Sequence, residues 1–528
     1  MSAFIRLIFV SVGLLTCFVI SDGQAAPPGG SIVRLPMRAD PSSLDPHKIP
    51  NDYLVLNLFE GLTTMSATDE IVPGMAERWE TSADGLVWTF HLRDADWSDG
   101  RPVTADDFVY SFRRVLDPAT ASPYVTALAP IVHADDISSG REKDLTKLGV
   151  EAPDPHTLRF TLRHPTPWFP TLMAIQTSMP VPRHAIDKWG DHWTSAEHIV
   201  VNGPFTLKQW VPLGELDFVR NPYFHDAASV KVDEVDHILA DDPAAALKRY
   251  EAGELDEALI VGQDLARILR ERPAELLSSP ELSSIMVGIN MKGPLGGDVR
   301  IREALSMTID RDTLENKVIR LGQIPAYGLI PPSMPGYTPP RPDWIDLPMA
   351  ERIARAKKLM AEAGAPTPLK VHLLSSNADS NKLYLDTIAA MWRSALGVET
   401  EIETGEERVL DDRVIHRDFE AALGNWGADY PDPTAFLEIF QSSAIFNFGN
   451  YANPKYDALL DQAGVTADPG ERMMLLENAE ALMLADQPII PINFAVSHIL
   501  VSPRLHGIEP APLERHPDRY LWLEDSRG

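Results

Sequence analysis

An aspartate in the last quarter of the chain, Asp429, has the surroundings of a ligand-binding carboxylate. It follows an apolar predicted strand and lies between Trp426 and Tyr430. A carboxylate enclosed by aromatic rings loses contact with water and needs a cationic partner. A charge-assisted hydrogen bond to an ammonium group would contribute about 1.5–3 kcal/mol. Alternatively, Asp429 caps a turn before Pro431 and Pro433, which is a common role for aspartate.

Sequence motifs of catalytic and metal sites are absent from the chain. There is no HExxH, GxxxxGK[ST] or GxSxG segment, and the glycine-rich stretch 293–297 lacks the lysine of a phosphate-binding loop. The histidines are scattered without the spacing of metal ligands, and no pair of acidic residues stands out as an acid–base couple. We therefore expect a binding protein without catalytic residues, cofactor or metal, and an exported hydrolase stays the alternative.

The first 25 residues have the pattern of a secretory signal peptide. Arg6 precedes an apolar run over 7–20, and the small residues Gly23 and Ala25 follow at the spacing that signal peptidase requires. The run is shorter than the roughly 20 residues of a membrane helix, which argues against an anchor. Acylation at Cys17 is disfavoured because Thr16 precedes it. We expect a periplasmic protein that has lost Cys17, its only cysteine, and so has no thiol chemistry.

Length and charge limit the fold and the partners. The chain has 528 residues, and single cores stop growing near about 250–300 residues, so more than one domain is expected. A net charge of -29 disfavours nucleic acids and anionic membranes as partners. The same charge is typical of a soluble exported protein.

Hydrophobic periodicity predicts a β-rich first third and an α/β remainder. Alternation over 86–92 indicates a strand, and Thr104 with Asp107 forms a capping box for a helix that ends at Asp117. Later strands are predicted at 369–374, 398–402, 419–426 and 489–494, and helices at 379–396, 406–415, 453–464 and 469–486. Strand–helix–strand order implies a parallel sheet with right-handed crossovers. The pattern predicts two α/β lobes with an extra β-rich unit, and a ligand where the lobes meet or beyond the carboxyl ends of strands.

Short segments in a fixed order along almost the whole chain carry a family resemblance. They are LDPHK (44–48), LFEGL (58–62), PGMAERWE (73–80), WTFHLR (88–93), WSDG (97–100), VTADDFVYS (103–111), ASPY (121–124), NGPF (202–205), RNPY (220–223), VRIREAL (299–305), DR (310–311), AYG (326–328), WGADY (426–430) and PT (433–434). Together they resemble the oligopeptide-binding proteins of bacterial ABC importers, within family 5 of the extracytoplasmic solute-binding proteins.

The resemblance implies an α/β, periplasmic-binding-protein-like fold. Two lobes close on the ligand like a hinged trap, and an additional β-rich domain is inserted in the first lobe. In this sequence, lobe one would comprise residues 31–60, 183–282 and 497–528, the inserted domain 61–182, and lobe two 283–496. The implied function is capture of a short peptide by a monomer and its delivery to ABC permease subunits.

The resemblance also implies roles for individual residues. Asp429 matches the aspartate that pairs with the free α-amino group of the peptide, and Tyr124 and Trp426 match residues that line the cleft. Gly427 and Tyr430, from the same segment, complete the predicted ligand-binding set. The peptide groups of the ligand are expected to pair with protein backbone, as an added strand does.

Three places depart from the peptide-binding pattern, and two of them concern the ligand's carboxylate. Leu423 stands where an arginine is found, Asn381 stands where a histidine is found, and the stretch 48–58 contains Asp52 but no glutamate. The arginine and histidine help to hold the ligand's carboxylate at some peptide lengths. The length of the ligand and the recognition of a free carboxylate therefore stay open.

Three arginines bear on the same question. Arg220, Arg300 and Arg302 are candidate substitutes for the missing cations, although Arg302 is expected instead to form a structural ion pair. A murein peptide or another amine, and a metal chelate, haem or sugar, remain alternative ligands. A chaperone or signalling role of the same trap is also open.

Overall fold

The computed structural model describes residues 31–49, 53–262 and 264–524 of the chain. The predicted signal peptide at 1–25, with Cys17, and the side chain of Asp52 lie outside these residues. Within the described ranges, no helix is long and apolar enough to cross a membrane.

Strands and helices alternate along the described part of the chain. The strands are β1 Ile32–Met37, β2 Thr63–Met65, β3 Ile71–Pro73, β4 Ala76–Thr81, β5 Val87–Leu92, β6 Val150–Asp154, β7 Thr157–Thr161, β8 Phe205–Val211, β9 Glu215–Arg220, β10 Glu234–Leu239, β11 Glu257–Leu259, β12 Leu276–Ile289, β13 Ile324–Pro325, β14 Lys370–Ser376, β15 Glu399–Gly405, β16 Ala421–Gly427, β17 Ile489–Val501, β18 Leu505–His506 and β19 Trp522–Leu523. The helices are α1 Val55–Leu58, α2 Ala105–Leu116, α3 Ala134–Ser138, α4 Phe169–Leu172, α5 Arg183–Trp189, α6 Pro243–Glu251, α7 Asp264–Glu271, α8 Val299–Met307, α9 Arg311–Thr313, α10 Met349–Glu362, α11 Asp379–Leu396, α12 Glu407–Ile415, α13 Thr434–Leu437, α14 Pro454–Val465 and α15 Pro469–Asp486.

The described strands form one seven-stranded sheet, two four-stranded sheets and the two-stranded pairs β2-β3 and β18-β19. The first sheet has the order β1-β10-β9-β8, and the largest has the order β11-β17-β12-β16-β14-β15, with β13 beside β17. A separate antiparallel sheet, β4-β5-β7-β6, lies within the predicted inserted domain. The strand–helix–strand prediction is confirmed, since β14 pairs in parallel with both β15 and β16.

Local sequence signals explain where the main elements begin and end. Thr104 and Asp107 form the predicted capping box of α2, with the Thr104 N–H 2.9 Å from the Asp107 carboxylate. Gly397 ends α11 in a left-handed conformation (φ 70°), which glycine adopts without a steric penalty. The indole N–H of Trp392, on the buried face of α11, donates to the Leu305 carbonyl at 2.9 Å.

Two continuous strands join the predicted lobes. The predicted divisions after residues 282 and 496 fall inside β12 and β17, which pair with each other along most of their length. Their register shifts between Pro280 and Ser284. A β-bulge therefore lies at the crossing, the point where β12 passes from predicted lobe one into predicted lobe two. The domain limits themselves stay a prediction.

The crossing carries a carboxyl group whose titration affects stability. Burial and the neighbouring charge of Glu514 raise the pKa of Glu281 from 4.5 to about 7. A carboxyl with a raised folded-state pKa binds its proton more tightly when folded. Its contribution to stability is therefore full below about pH 4.5 and is lost as the pH rises through about 7.

Replacing Glu281 with glutamine is expected to stabilise the protein at pH 8, by roughly 1–3 kcal/mol, and to have little effect at pH 4.5. Denaturation midpoints of both proteins at the two pH values measure this difference. Glu401→Gln, an exposed position on β15, is the matched control and should change neither midpoint. An equal effect of Glu281→Gln at both pH values would contradict the proposed titration.

Candidate ligand-binding site

The Asp429 segment lies where the predicted lobes and the predicted inserted domain meet. Leu282, at the bulge of β12, accepts a hydrogen bond from the Ala428 N–H at 2.8 Å and donates to the Pro512 carbonyl at 2.8 Å. Asp429 follows directly. Its carboxylate accepts a hydrogen bond from the Tyr124 hydroxyl of the β-rich unit. Its backbone carbonyl accepts from the guanidinium of Arg515, in the C-terminal segment, at 3.0 Å.

The ionisable groups around Asp429 are largely buried. Arg515 is only 8% exposed, and burial lowers the pKa of its guanidinium, although the charges of Asp429 and Asp69 oppose that drop. Burial and the hydrogen bond to Asp429 raise the pKa of the Tyr124 phenol, so the hydroxyl stays protonated and donates. Burial likewise raises the pKa of Asp69 to about 6, and its carboxylate accepts from the Leu513 N–H at 2.6 Å.

The five predicted ligand-binding residues divide into two groups in the structure. Asp429 and Tyr124 touch each other, and Trp426 lines an adjoining cavity. Gly427 is an exposed residue of β16 paired with Ser283 of β12, and Tyr430 packs against the apolar core, where burial raises the pKa of its phenol. Neither lines the cavity. Their roles in binding stay predictions.

The cavity lies at the carboxyl end of β14, as expected for a ligand site in an α/β lobe. Its volume is about 380 Å³, in the range of small-molecule sites. The wall is formed by β12, β14, β16, α12 and the segment 439–451, and its large side chains are mostly apolar. They include Ile285, Met286, Leu374, Leu410, Val414, Leu423, Trp426, Phe440, Phe446 and Phe448.

One edge of β16 is open beside this cavity. Ala421 and Ala422 pair with β14 on one side, and the whole of β16 pairs with β12 on the other. Beyond residue 422, no strand of the described residues pairs with the β14 side. Residues 423–426 of this edge line the cavity. Their backbone groups are therefore placed to pair with an added strand.

A buried ion pair supports the loop that follows Asp429. The Arg472 guanidinium donates two hydrogen bonds of 2.8 Å to the Asp432 carboxylate, and the carboxylate also accepts from the Thr434 N–H at 3.0 Å. The guanidinium carbon lies 4.3 Å from the centre of the Trp168 ring, at cation–π distance. The pair thereby ties α15 both to the Asp429 loop and to the β-rich unit.

The three arginines considered for a ligand carboxylate lie elsewhere. Arg220 pairs with Asp233 at 2.7 Å and Arg300 with Asp298 at 2.5 Å, and neither lines the cavity. The expectation that Arg302 forms an ion pair is wrong. Its buried guanidinium donates to the carbonyl oxygens of Leu295, Asp486 and Gln487, because those groups at the ends of neighbouring elements need partners.

One group of carboxylates in the described residues has the proximity of metal ligands. Asp217, Glu234 and Asp236 lie together on β9 and β10, with candidate ligand atoms within 4.8 Å of one another. Lys208 forms an ion pair with Glu234, and Arg34 lies 3.8 Å from Asp236. These cations supply positive charge to the group, which lies in the first sheet, away from the cavity.

Comparison with known proteins decides the family. The family model for bacterial extracellular solute-binding proteins, family 5 Middle, matches residues 70–448. The chain belongs to this family. The family assignment from the short segments is thereby confirmed, and so is the α/β, two-lobe fold with an added β-rich unit.

Three relatives of family 5 show how far the likeness extends. Periplasmic oligopeptide-binding protein OppA of Salmonella typhimurium is 36% identical over 94% of this chain and 95% of its own length. The probable deoxycholate-binding periplasmic protein YgiS of Escherichia coli is 36% identical over 94% of this chain and 93% of its own. The structure of the periplasmic murein tripeptide-binding protein MppA, in an unliganded open form, superposes with a TM-score of 0.84 at 32% identity, covering 95% of this chain and 100% of that one.

Sequence reasoning missed several residues of this candidate site. Glu407, Leu410, Asp411 and Val414 of α12 line the cavity with a spacing that marks one helix face, and that signal was available. Arg515 offers no comparable signal, because it lies 86 residues from Asp429 in the chain.

Proposed function

We propose that this family 5 protein binds a short peptide between its two lobes and delivers it to the permease of an ABC importer. The observation that carries the proposal is the position of Asp429. Its carboxylate is in contact with Tyr124 of the β-rich unit and next to the open edge of β16, where the predicted lobes meet. Ligands of hinged two-lobe proteins bind at such junctions and favour the closed arrangement.

We assign the peptide's amino group to a contact with Asp429, and the peptide's backbone to pairing with β16. The Asp429 carboxylate accepts a hydrogen bond from Tyr124, and its negative charge acts on the buried Arg515. A carboxylate can accept several hydrogen bonds at once, so the ligand's ammonium group would join these partners. The backbone of residues 423–427 would then pair with the ligand as an added strand, which gives affinity with little dependence on side chains.

The names of the relatives agree with a peptide ligand. OppA is an oligopeptide-binding protein and MppA binds a murein tripeptide. We propose that this chain likewise works in the periplasm as a monomer, after removal of residues 1–25. It would bind without catalysis, so a bound peptide should be recovered uncleaved after incubation.

A bile-acid-like steroid is the second candidate ligand. The name of YgiS gives deoxycholate, and the apolar cavity of this chain offers room for a steroid. Two features favour the peptide. Glu407 and Asp411 face the cavity and would repel the steroid's carboxylate, whereas the open edge of β16 would satisfy peptide groups.

A ligand panel tests the proposed function. Purified protein, freed of bound ligand by unfolding and refolding, is heated with di- to pentapeptides, deoxycholate, haem or sugars. We expect a rise in the midpoint of thermal unfolding with peptides alone, because only a ligand of the folded state stabilises it. A rise with deoxycholate, haem or a sugar and none with any peptide would contradict the proposal.

A further inference from the structure

We propose that the cavity beside Trp426 receives an apolar, uncharged part of the ligand and excludes a free carboxylate. This inference rests on the proposed function and specifies the class of peptide. The preferred ligand would be a peptide with a free amino terminus and an apolar residue near the cavity. Its carboxyl end would be neutral, as in an amide, or would extend past the cavity.

The first observation behind the inference is the charge of the cavity wall. Among the described residues that line the cavity there is no lysine, arginine or histidine. Its ionisable acids, Glu407 and Asp411, lie one helical turn apart on α12, and both are exposed. A ligand carboxylate placed there would lose water, meet two like charges and find no cation.

The second observation is the apolar surface of the cavity wall. Leu410 and Val414 of α12 face the same cavity as Leu423 of β16, and the rings of Trp426 and Phe446 lie 5.6 Å apart in the same wall. Such a surface favours an aliphatic or aromatic side chain, because burying apolar area on both partners removes it from water.

The third observation concerns the neutral polar side chains of the wall. Ser375, at the carboxyl end of β14, is 3% exposed, and its Oγ has no hydrogen-bond partner among the described residues. It lines the cavity, next to Ser376, which accepts a hydrogen bond from the Asn381 amide at 2.8 Å. Ser375, Ser376 and Asn381 all line the cavity, so the polar side chains at this end of β14 are neutral and suit an uncharged amide group of a ligand.

The separation of Trp426 from Asp429 limits which part of the ligand reaches the cavity. Trp426 of β16 precedes Asp429, which lies just beyond the strand, by three residues, or at most about 10 Å of chain. A peptide whose amino group lies at Asp429 therefore reaches the cavity with about its third residue. A tripeptide would place its carboxyl terminus in the cavity, where the wall offers no cation.

Calorimetry with a matched pair of peptides tests the inference. The probes are Ala-Ala-Phe with a free carboxylate and the same tripeptide with a C-terminal amide. We expect the amide to bind at least tenfold more tightly. Equal binding, or tighter binding of the free acid, would overturn the inference and leave the proposed function intact. If neither peptide binds, and no longer peptide does, the proposed function fails and the inference with it.

Charge variants of α12 separate the cavity from a general effect of net charge. Glu407→Gln with Asp411→Asn should reduce the amide-to-acid affinity ratio severalfold, because both like charges leave the cavity. Asp412→Asn is the matched control on the exposed side of α12, outside the cavity, and should leave the ratio unchanged. The same shift in both variants, or no shift in the double variant, would contradict the assignment of these carboxylates to the site.

Discussion

Replacing Asp429 with asparagine is expected to weaken binding of a peptide with a free α-amino group by about tenfold to 100-fold. A charge-assisted hydrogen bond contributes about 1.5–3 kcal/mol, and about 1.4 kcal/mol corresponds to a factor of ten in affinity. The asparagine oxygen can still accept the hydrogen bond from Tyr124, so the variant mainly removes the charge. Titration calorimetry with the tripeptide amide measures the loss.

Acetylation of the peptide's amino group provides the control. The acetylated peptide has no ammonium group, so its affinity should be the same for the natural protein and for Asp429→Asn. The two changes together form a double-mutant cycle, which isolates the pairing of the two charges from other effects. This control is needed because Asp429 also offsets the charge of buried Arg515, and the variant is expected to lose some stability. A loss of affinity of the same size for both peptides would contradict the amine assignment.

Replacing Arg472 with methionine is expected to destabilise the protein by about 3–5 kcal/mol. The side chains of Arg472 and Asp432 are 6% and 12% exposed, and the variant leaves the Asp432 carboxylate buried without its cation. It also removes the stacking of the guanidinium on Trp168. Chemical denaturation followed by far-ultraviolet circular dichroism measures the difference in the free energy of unfolding.

Arg413→Met is the matched control for this loss. Arg413 pairs with Glu403 at 2.7 Å, but their side chains are 25% and 47% exposed, and such surface pairs contribute at most about 1 kcal/mol. A small and equal loss in both variants would show that the Arg472–Asp432 pair has no special structural role. Asp432 lies three residues after Asp429. The folded fraction of the Arg472→Met protein should therefore also bind the tripeptide amide less tightly than the natural protein does.

Local patterns of the sequence predict most of the regular elements of lobe two. Helix α11 begins and ends where apolar spacing and Gly397 place it, because helix periodicity and end signals act over only a few residues. The strand predicted at 489–494 continues to Val501, and the added residues pair with β11 and with the first half of β12. Such pairing depends on contacts distant in sequence, so periodicity cannot reveal it.

The site was less accessible to sequence reasoning than the fold. The segment 426–430 predicts a candidate carboxylate, but the residues alone leave open whether Asp429 binds a ligand or caps a turn. The structure adds its neighbours: Tyr124 lies 305 positions away in sequence, and Arg515 comes from the C-terminal segment. Leu423 and Asn381 stand where the family pattern has an arginine and a histidine, and the sequence shows each difference separately. Only the structure shows that both residues line one cavity.

Native mass spectrometry of the protein, purified without unfolding from the periplasm of its own cells, tests peptide capture most directly. We predict complexes whose added mass fits short peptides, and fragmentation of the released ligand should give a sequence with a free amino terminus and an apolar residue near the third position. The Asp429→Asn protein, purified in the same way, should carry much less of this mass. An added mass that fragments as a steroid, sugar or haem, equally abundant in both proteins, would contradict the account.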